Sequence, residues 1–450
     1  MAMKRRYQPY PDYIDSGVEW LGQIPAHWDV RRLKFVAGIN PSRSEVAYLP
    51  GDVEVSFLPM ERVGYGSLDL ELRKPLAEVK QGFTYFRDGD VLVAKITPSF
   101  ENGKGALAFG LENGIGFGTT ELHVIRATQE IDRQFLFYLT FSHQFRGMGE
   151  TQMFGTAGQK RVPDSFINNF PTPLPPLPEQ RAIAAFLDRE TARIDALIAR
   201  KRELIDLLRR QRTALISHAV TKGLDPSAPL KDSGVEWLGK IPAHWDVLKL
   251  KWLSKKIGSG KTPKGGASNY VSSGVIFLRS QNVHFSGLRL DDVVYIPPEI
   301  DRDMASSRVH SLDVLLNITG ASLGRCSLVP ENFPPANVNQ HVCIIRPYSD
   351  RLMPKLLNYA LMSDYMQFQI FANEDGISRE GLNFRAIGNM IVAVPPLAEQ
   401  RAISEYLDRE TARIDRLIGE IEESIALLQR QRTALISAAV TGKIDVREQV

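Results

Sequence analysis

An internal repeat constrains this chain more than any other feature. The segment DSGVEWLGQIPAHWDV at 15–30 returns at 232–247 with only Gln23 changed, to Lys240, so 15 of 16 positions match. The windows 179–221 and 399–441 agree at 31 of 43 positions, and both contain LDRETARID. Between these segments the halves diverge. They keep only short anchors, such as Phe57-Leu58 with Phe277-Leu278 and Val124-Ile125-Arg126 with Ile344-Ile345-Arg346. The order is pad, variable globe, helix, and then the same again. A repeat of this length predicts two copies of one architecture rather than a single large domain.

Composition sets the remaining bounds. The 450 residues suit two to four domains, and 43% hydrophobic with 24% charged residues is enough for ordinary cores. No apolar run approaches the ~18 residues of a membrane span. The opening MAMKRRYQPYPDY lacks the apolar stretch of a signal peptide. Cys326 and Cys343 form no metal or redox motif. A reducing cytoplasm is the expected location. A net charge of +3 permits a nucleic-acid partner without requiring one.

The pattern predicts a mixed α/β fold. Apolar strands such as DVLVAKI (90–96) and DVLLNI (313–318) alternate with Gly- and Asn-rich turns. FLFYLTFSHQF (135–145) and LLNYALMSDYMQF (356–368) read as one amphipathic helix per globe. Proline-rich exits at 171–180 and 394–400 lead into long helices. These boundaries give a first globe at 1–178, a helix at 179–222, a second globe at 223–398, and a second helix with a tail at 399–450.

A heptad frame places Ile183, Glu190, Leu197, Leu204 and Gln211 on one seam row and Leu187, Ile194, Lys201, Leu208 and Leu215 on the other. In the second helix the rows are Ile403, Glu410, Leu417, Ser424 and Gln431, then Leu407, Ile414, Ile421, Leu428 and Leu435. About 43 residues at 1.5 Å each gives roughly 60–65 Å, and a helix that long with one apolar stripe needs a partner. The first window carries net charge +3 and the second −2. An antiparallel pair is expected, with Arg200-Lys201-Arg202 near Glu420, Glu422 and Glu423. Gly223 and Gly442 sit where C-cap glycines belong. AVTKGLD (219–225) leads into the second pad, and AVTGKID (439–445) ends where symmetry would place the first, so the termini are expected beside the first globe.

Two similar globes related by a pseudo-two-fold axis have the symmetry of two half-sites on duplex DNA. Unlike globes imply unlike half-sites. Near-identical pads and helices imply two equivalent docking surfaces for two copies of one partner. The rival reading is a bivalent protein scaffold that never touches DNA.

Catalytic motifs are missing. An amino-methyltransferase needs [ND]-P-P-[YFW], and the Pro-Pro pairs here read LPPL, IPPE, FPPA and VPPL. GSGKT (258–262) lacks the upstream glycine of a phosphate loop, with Lys255 in its place. No nuclease pattern or metal-ligand spacing appears. His27-Trp28 and His244-Trp245, repeated in the pads, read as packing.

SGVEWLG-IPAHWDV, PSFENGKGALAF, FGTTELHVIR and PLPEQRAIAAFLD, in an order of pad, globe and helix that the second half repeats, resemble the DNA-specificity subunits of type I restriction–modification systems over essentially the whole chain. The resemblance implies two target-recognition domains separated by two long antiparallel coiled-coil helices. It implies a split, asymmetric DNA site and a subunit that is not itself an enzyme. It further implies two adenine-methylating modification subunits and restriction/translocase subunits, with S-adenosylmethionine, ATP and Mg on those partners.

Base edges need donors and acceptors, so readers are expected on polar loops of the globes. In the first globe the candidates are Lys95, Thr97, Ser99, Asn102, Lys104, Thr119, Thr120, Gln159, Lys160 and Arg161. In the second they are Arg279, Gln281, Asn282, Asn317, Thr319, Ser322, Arg325, Asn339, Gln340, His341, Ser378 and Arg379. Arg126 and Arg346 follow apolar strands and read equally well as structural.

Overall fold

The computed structural model describes residues 7–156, 158–263, 265–372 and 381–447. The chain divides into two units, Met1–Lys201 with Glu422–Val450, and Arg202–Ile421. Each unit therefore takes half of each long helix, Leu177–Lys222 and Leu397–Val440. No helix among the described residues is long and apolar enough to cross a membrane.

The two units are built alike. In the first, Ala37–Ile39, Leu122–Ala127, Asp90–Ala94 and Gly105–Leu107 form one four-stranded sheet in that order. The second unit repeats it with Ser254–Ser259, Val342–Pro347, Val314–Asn317 and Cys326–Leu328. A second four-stranded sheet in each unit contains a parallel pair, Glu54–Leu58 with Ile115–Gly118 and Val275–Leu278 with Ala336–Val338. Two central strands carry unbroken apolar runs, at 91–94 and 314–316, because both of their faces are covered. Val91 and Val93 enter the main core, while Leu92 and Ala94 enter a second core. Val314 and Leu316 likewise face one core and Leu315 another.

The amphipathic segments are not single helices. The first is Arg133–Thr140 followed by His143–Thr151, and the second is Pro354–Met362 followed by Asp364–Ala372. Ser142 breaks the first by capping the new helix, its Oγ accepting from Phe145 N at 3.2 Å. Ser363 stands at the equivalent break, outside helical conformation.

The long helices pack antiparallel within each unit. In the first unit, Ile183, Phe186 and Leu187 share a core with Leu435, Ile436, Ala439 and Val440, and Arg432 pairs with Asp195 at 3.0 Å. In the second, Ile216, Ala219 and Val220 share a core with Ile403 and Leu407, and Arg212 pairs with Asp415 at 3.0 Å. These pairs put the register about one heptad away from the expected meeting of the Arg200 and Glu420 clusters.

One seam row also shifts by a residue. Leu197 and Leu204 are 39% and 45% exposed, while Ile198 and Ile205 are buried at 6% each. Thr191 is buried beside them, and Thr411 and Arg432 replace Glu410 and Gln431 in the second helix. The other row holds, with Leu187, Ile194, Leu407, Ile414 and Leu435 buried.

The pads lock onto the helix starts. Tyr10 Oη and Trp28 Nε1 donate to Glu179 Oε1 at 2.7 and 3.0 Å, and His27 Nε2 lies 2.7 Å from Oε2. In the second unit His244 Nε2 and Trp245 Nε1 meet Glu399 Oε2 at 2.8 and 3.1 Å. The repeated His-Trp pair is thus a packing device. The helix ends close the same joint. Gly442 (φ +69°) lies so near Pro25 and Trp28 that an added Cβ would be 2.4 Å from the proline ring. Beyond it, Asp445 N donates to Gln8 O at 2.8 Å, so the segment after the second helix docks on the first pad.

Candidate nucleic-acid interface

The loops that leave the central sheet converge at one end of each unit. In the first unit Lys95 N donates to Glu121 O at 2.9 Å, and Thr119 N donates to Leu58 O at 3.0 Å. Lys104 Nζ donates to Met60 O at 2.9 Å. Thr97 gathers the segment 158–161, because its Oγ1 accepts from Lys160 N at 2.9 Å and donates to Lys160 O at 3.2 Å. Arg161 then meets Glu121 side-on, with Nε to Oε2 at 2.9 Å and Nη2 to Oε1 at 2.8 Å. These hydrogen bonds hold the guanidinium pKa above its ordinary value.

The second unit repeats the backbone frame with other side chains. Ile318 N donates to His341 O, and Asn339 N to Leu278 O, both at 3.0 Å. Thr319 Oγ1 lies 2.6 Å from His341 Nδ1, and Gln340 Nε2 lies 3.1 Å from His341 Nε2. Thr262 Oγ1 donates to Gln340 Oε1, which brings the GSGKT loop to this face. The second glycine of that motif is required by close approach, since a Cβ on Gly260 would stand 1.6 Å from Val338 O. An open cleft of about 360 Å³ is lined by Ser280, Gln281, Thr319, Ser322, Arg325 and His341.

Most of the candidates therefore come together, but they differ in access. Thr120, Asn102, Gln159, Lys160, Gln281 and Gln340 are exposed. Lys95, Thr97, Lys104, Thr119, Arg161, Arg279, Thr319, Ser322, Arg325, Asn339 and His341 are half-buried. Ser99, Asn282 and Asn317 are buried and hold the loops from within. Asn282 Nδ2 donates to Arg289 O at 3.0 Å and Asp292 Oδ1 at 2.9 Å, and Asn317 Nδ2 donates to Ser280 O at 2.7 Å. Arg279 Nη2 donates to Asp292 O at 2.7 Å. Ser378 and Arg379 lie outside the described residues.

Sequence reasoning missed Glu121, Thr262 and Ser280. The signal for Glu121 was its position, immediately before the strand Leu122–Ala127, as His341 precedes Val342–Pro347. Lys95 stands at the position of Ile318, whose N donates to His341 O as Lys95 N donates to Glu121 O, and the second unit's loop from there to Gly324 is two residues shorter than the first unit's loop to Gly103. Arg126 is structural, with Nε and Nη2 donating to Asp90 at 2.6 and 2.7 Å and Nη1 to Glu45. Arg346 holds Asp313 in the same way. Both cysteines are buried, and burial pushes the Cys343 thiol up to about 12.

The family model of the type I restriction modification DNA specificity domain matches residues 28–207 and 304–427. The EcoAI specificity subunit of Escherichia coli is 35% identical over 248 residues, covering 54% of this chain and 40% of that protein. The EcoEI specificity subunit of the same organism is 43% identical over 165 residues, covering 36% and 27%. The similarity thus spans less than half the length of these two relatives. The MjaVIII specificity subunit of Methanocaldococcus jannaschii is 27% identical over 321 residues, 70% of this chain and 71% of that one. A solved chain of a type I R-M system shares the fold, with a TM-score of 0.70 over 93% of this chain and 98% of that chain at 20% identity. With two matched stretches that together cover more than half of its length, the chain belongs to the family of type I restriction–modification DNA specificity subunits.

Proposed function

We propose that this chain reads a split, asymmetric sequence in double-stranded DNA for a type I restriction–modification complex and carries out no chemistry itself. One observation carries the reading. Equivalent loops in the two units present different hydrogen-bonding groups on the same backbone frame: Glu121 with Arg161 in one, and His341 with Thr319 and Gln340 in the other. Unlike readers on like frames suit two unlike half-sites.

The repeated pads and helix starts seat two adenine methyltransferase subunits, and restriction/translocase subunits complete the assembly. S-adenosylmethionine, ATP and Mg belong to those partners, and the complex works in the cytoplasm. A gel shift with the chain alone and with its modification subunits tests the reading. A shift that selects one split motif is expected. Assembly with the modification subunits and no DNA binding would instead favour a bivalent protein scaffold.

A further inference from the structure

The geometry points to the Glu121–Arg161 pair as the reader of a G·C base pair in the half-site of the first unit, an inference that rests on the DNA-reading function proposed above. Glu121 engages the side edge of the guanidinium through Nε and Nη2. That leaves the end-on edge, formed by one N–H each of Nη1 and Nη2. Nη1 makes one further bond, to Gln159 O at 3.3 Å, and carries a second hydrogen that can still donate. The Arg161 side chain is 41% exposed and that of Glu121 23%, so the pair is reachable from solvent.

An end-on guanidinium matches the O6 and N7 acceptors of guanine in the major groove. The outer lone pairs of a carboxylate in the same plane match the N4 amino donor of the paired cytosine. The carboxylate also fixes the guanidinium before DNA arrives, which lowers the ordering cost of a bidentate contact. An A·T pair in this place offers a methyl group and an amino donor, and the donor would face the guanidinium. The pair therefore selects against it as well as for G·C. The second unit has His341 at the position of Glu121, so this selection belongs to the first half-site alone.

The pair can be altered without unfolding the loop. An exposed ion pair contributes little stability. The backbone of Arg161 is held independently, with N donating to Phe154 O at 2.9 Å. The test uses the full chain assembled with its modification subunits. Competition binding is measured against duplexes in which each base pair of the motif is varied singly, for wild type, Arg161→Lys, Glu121→Gln and Lys160→Ala.

Arg161→Lys and Glu121→Gln should both lose discrimination at one and the same G·C pair, by roughly 5- to 100-fold, with the other half-site unaffected. Lys160→Ala should weaken all duplexes alike and reduce the salt slope by about 1. If the two pair variants keep wild-type discrimination at every position, or lose affinity uniformly as Lys160→Ala does, the pair does not read a base. If the wild-type complex shows no sequence preference at all, the DNA-reading function fails and this inference fails with it.

Discussion

The two units solve the same structural problem with different residues. Behind the loop cluster, the turn at Gly103-Lys104 is held by Arg146, and its counterpart at Gly324-Arg325 by Gln367. Arg146 donates from Nε to Thr140 O at 2.8 Å and from Nη1 to Phe100 O at 3.3 Å, with the rings of Phe100 and Phe141 4.9 and 5.0 Å away. Gln367 Nε2 donates to Leu361 O at 2.6 Å and Gly324 O at 3.0 Å. A second difference lies inside the central sheets, where buried His123 occupies the place of buried Cys343. The lesson is that the backbone frame is kept while even its internal supports vary. The pads and helix joints, in contrast, hardly vary.

The joints should therefore respond alike and most strongly. Trp28→Ala and Trp245→Ala each remove a buried indole and leave a glutamate short of a donor. A loss of about 3–5 kcal/mol is expected for the affected unit, read by urea unfolding. Unequal losses would mean that the two pads are not equivalent supports.

Arg146→Gln installs the second unit's solution in the first. Burial pushes the Arg146 pKa down to about 10, so the group is still a cation at neutral pH. The substitution gives up charged hydrogen bonds and two ring contacts, and about 1.5–3 kcal/mol is expected. A neutral outcome would show that the charge is dispensable and the two solutions interchangeable.

Acid should weaken the first unit through His123 by a smaller amount. Burial lowers the pKa of His123, so the unfolded chain takes up a proton there more readily than the folded one. The stability this confers is present above the ordinary histidine pKa of about 6.5 and is lost as pH falls towards the folded value, with a slope of at most ~1.4 kcal/mol per pH unit. His123→Cys should flatten this dependence in pH-dependent urea melts of the first unit. An unchanged slope would assign the acid sensitivity to other groups.

The smallest effect concerns the helix pairs. Arg432 bonds Asp195 and also donates to Tyr65 Oη at 3.1 Å, while Arg212 bonds Asp415. Arg432→Ala should cost about 1 kcal/mol and Arg212→Ala less, by thermal unfolding. The reverse order would remove Tyr65 as the distinguishing contact.

Much of this architecture was legible in the sequence, for reasons that particular residues make clear. The repeat revealed two copies of one fold, and DVLVAKI revealed an apolar strand, while the covering of both its faces came from the structure. Gly223 and Gly442 marked helix ends, and both have positive φ. The seam was half legible, because Leu197-Ile198 and Leu204-Ile205 offer two adjacent apolar choices and only packing against the neighbouring helix decides between them. The helix break at Ser142 was hidden inside an unbroken amphipathic pattern. Among the loop residues, sequence could name polar groups but not separate buried Asn282 and Asn317 from exposed Gln281 and Gln340. Glu121 escaped notice because its partner, Arg161, is 40 residues away.

Under the proposed function, the two units read different words independently. The direct measurement is sequencing of methylated adenines in cells that carry the modification subunit with wild-type chain or with Gln340→Ala/His341→Ala. A split asymmetric motif is expected from the wild type, and the variant should relax one half while the other stays intact. A continuous palindrome, or a variant that alters both halves together, would contradict the account.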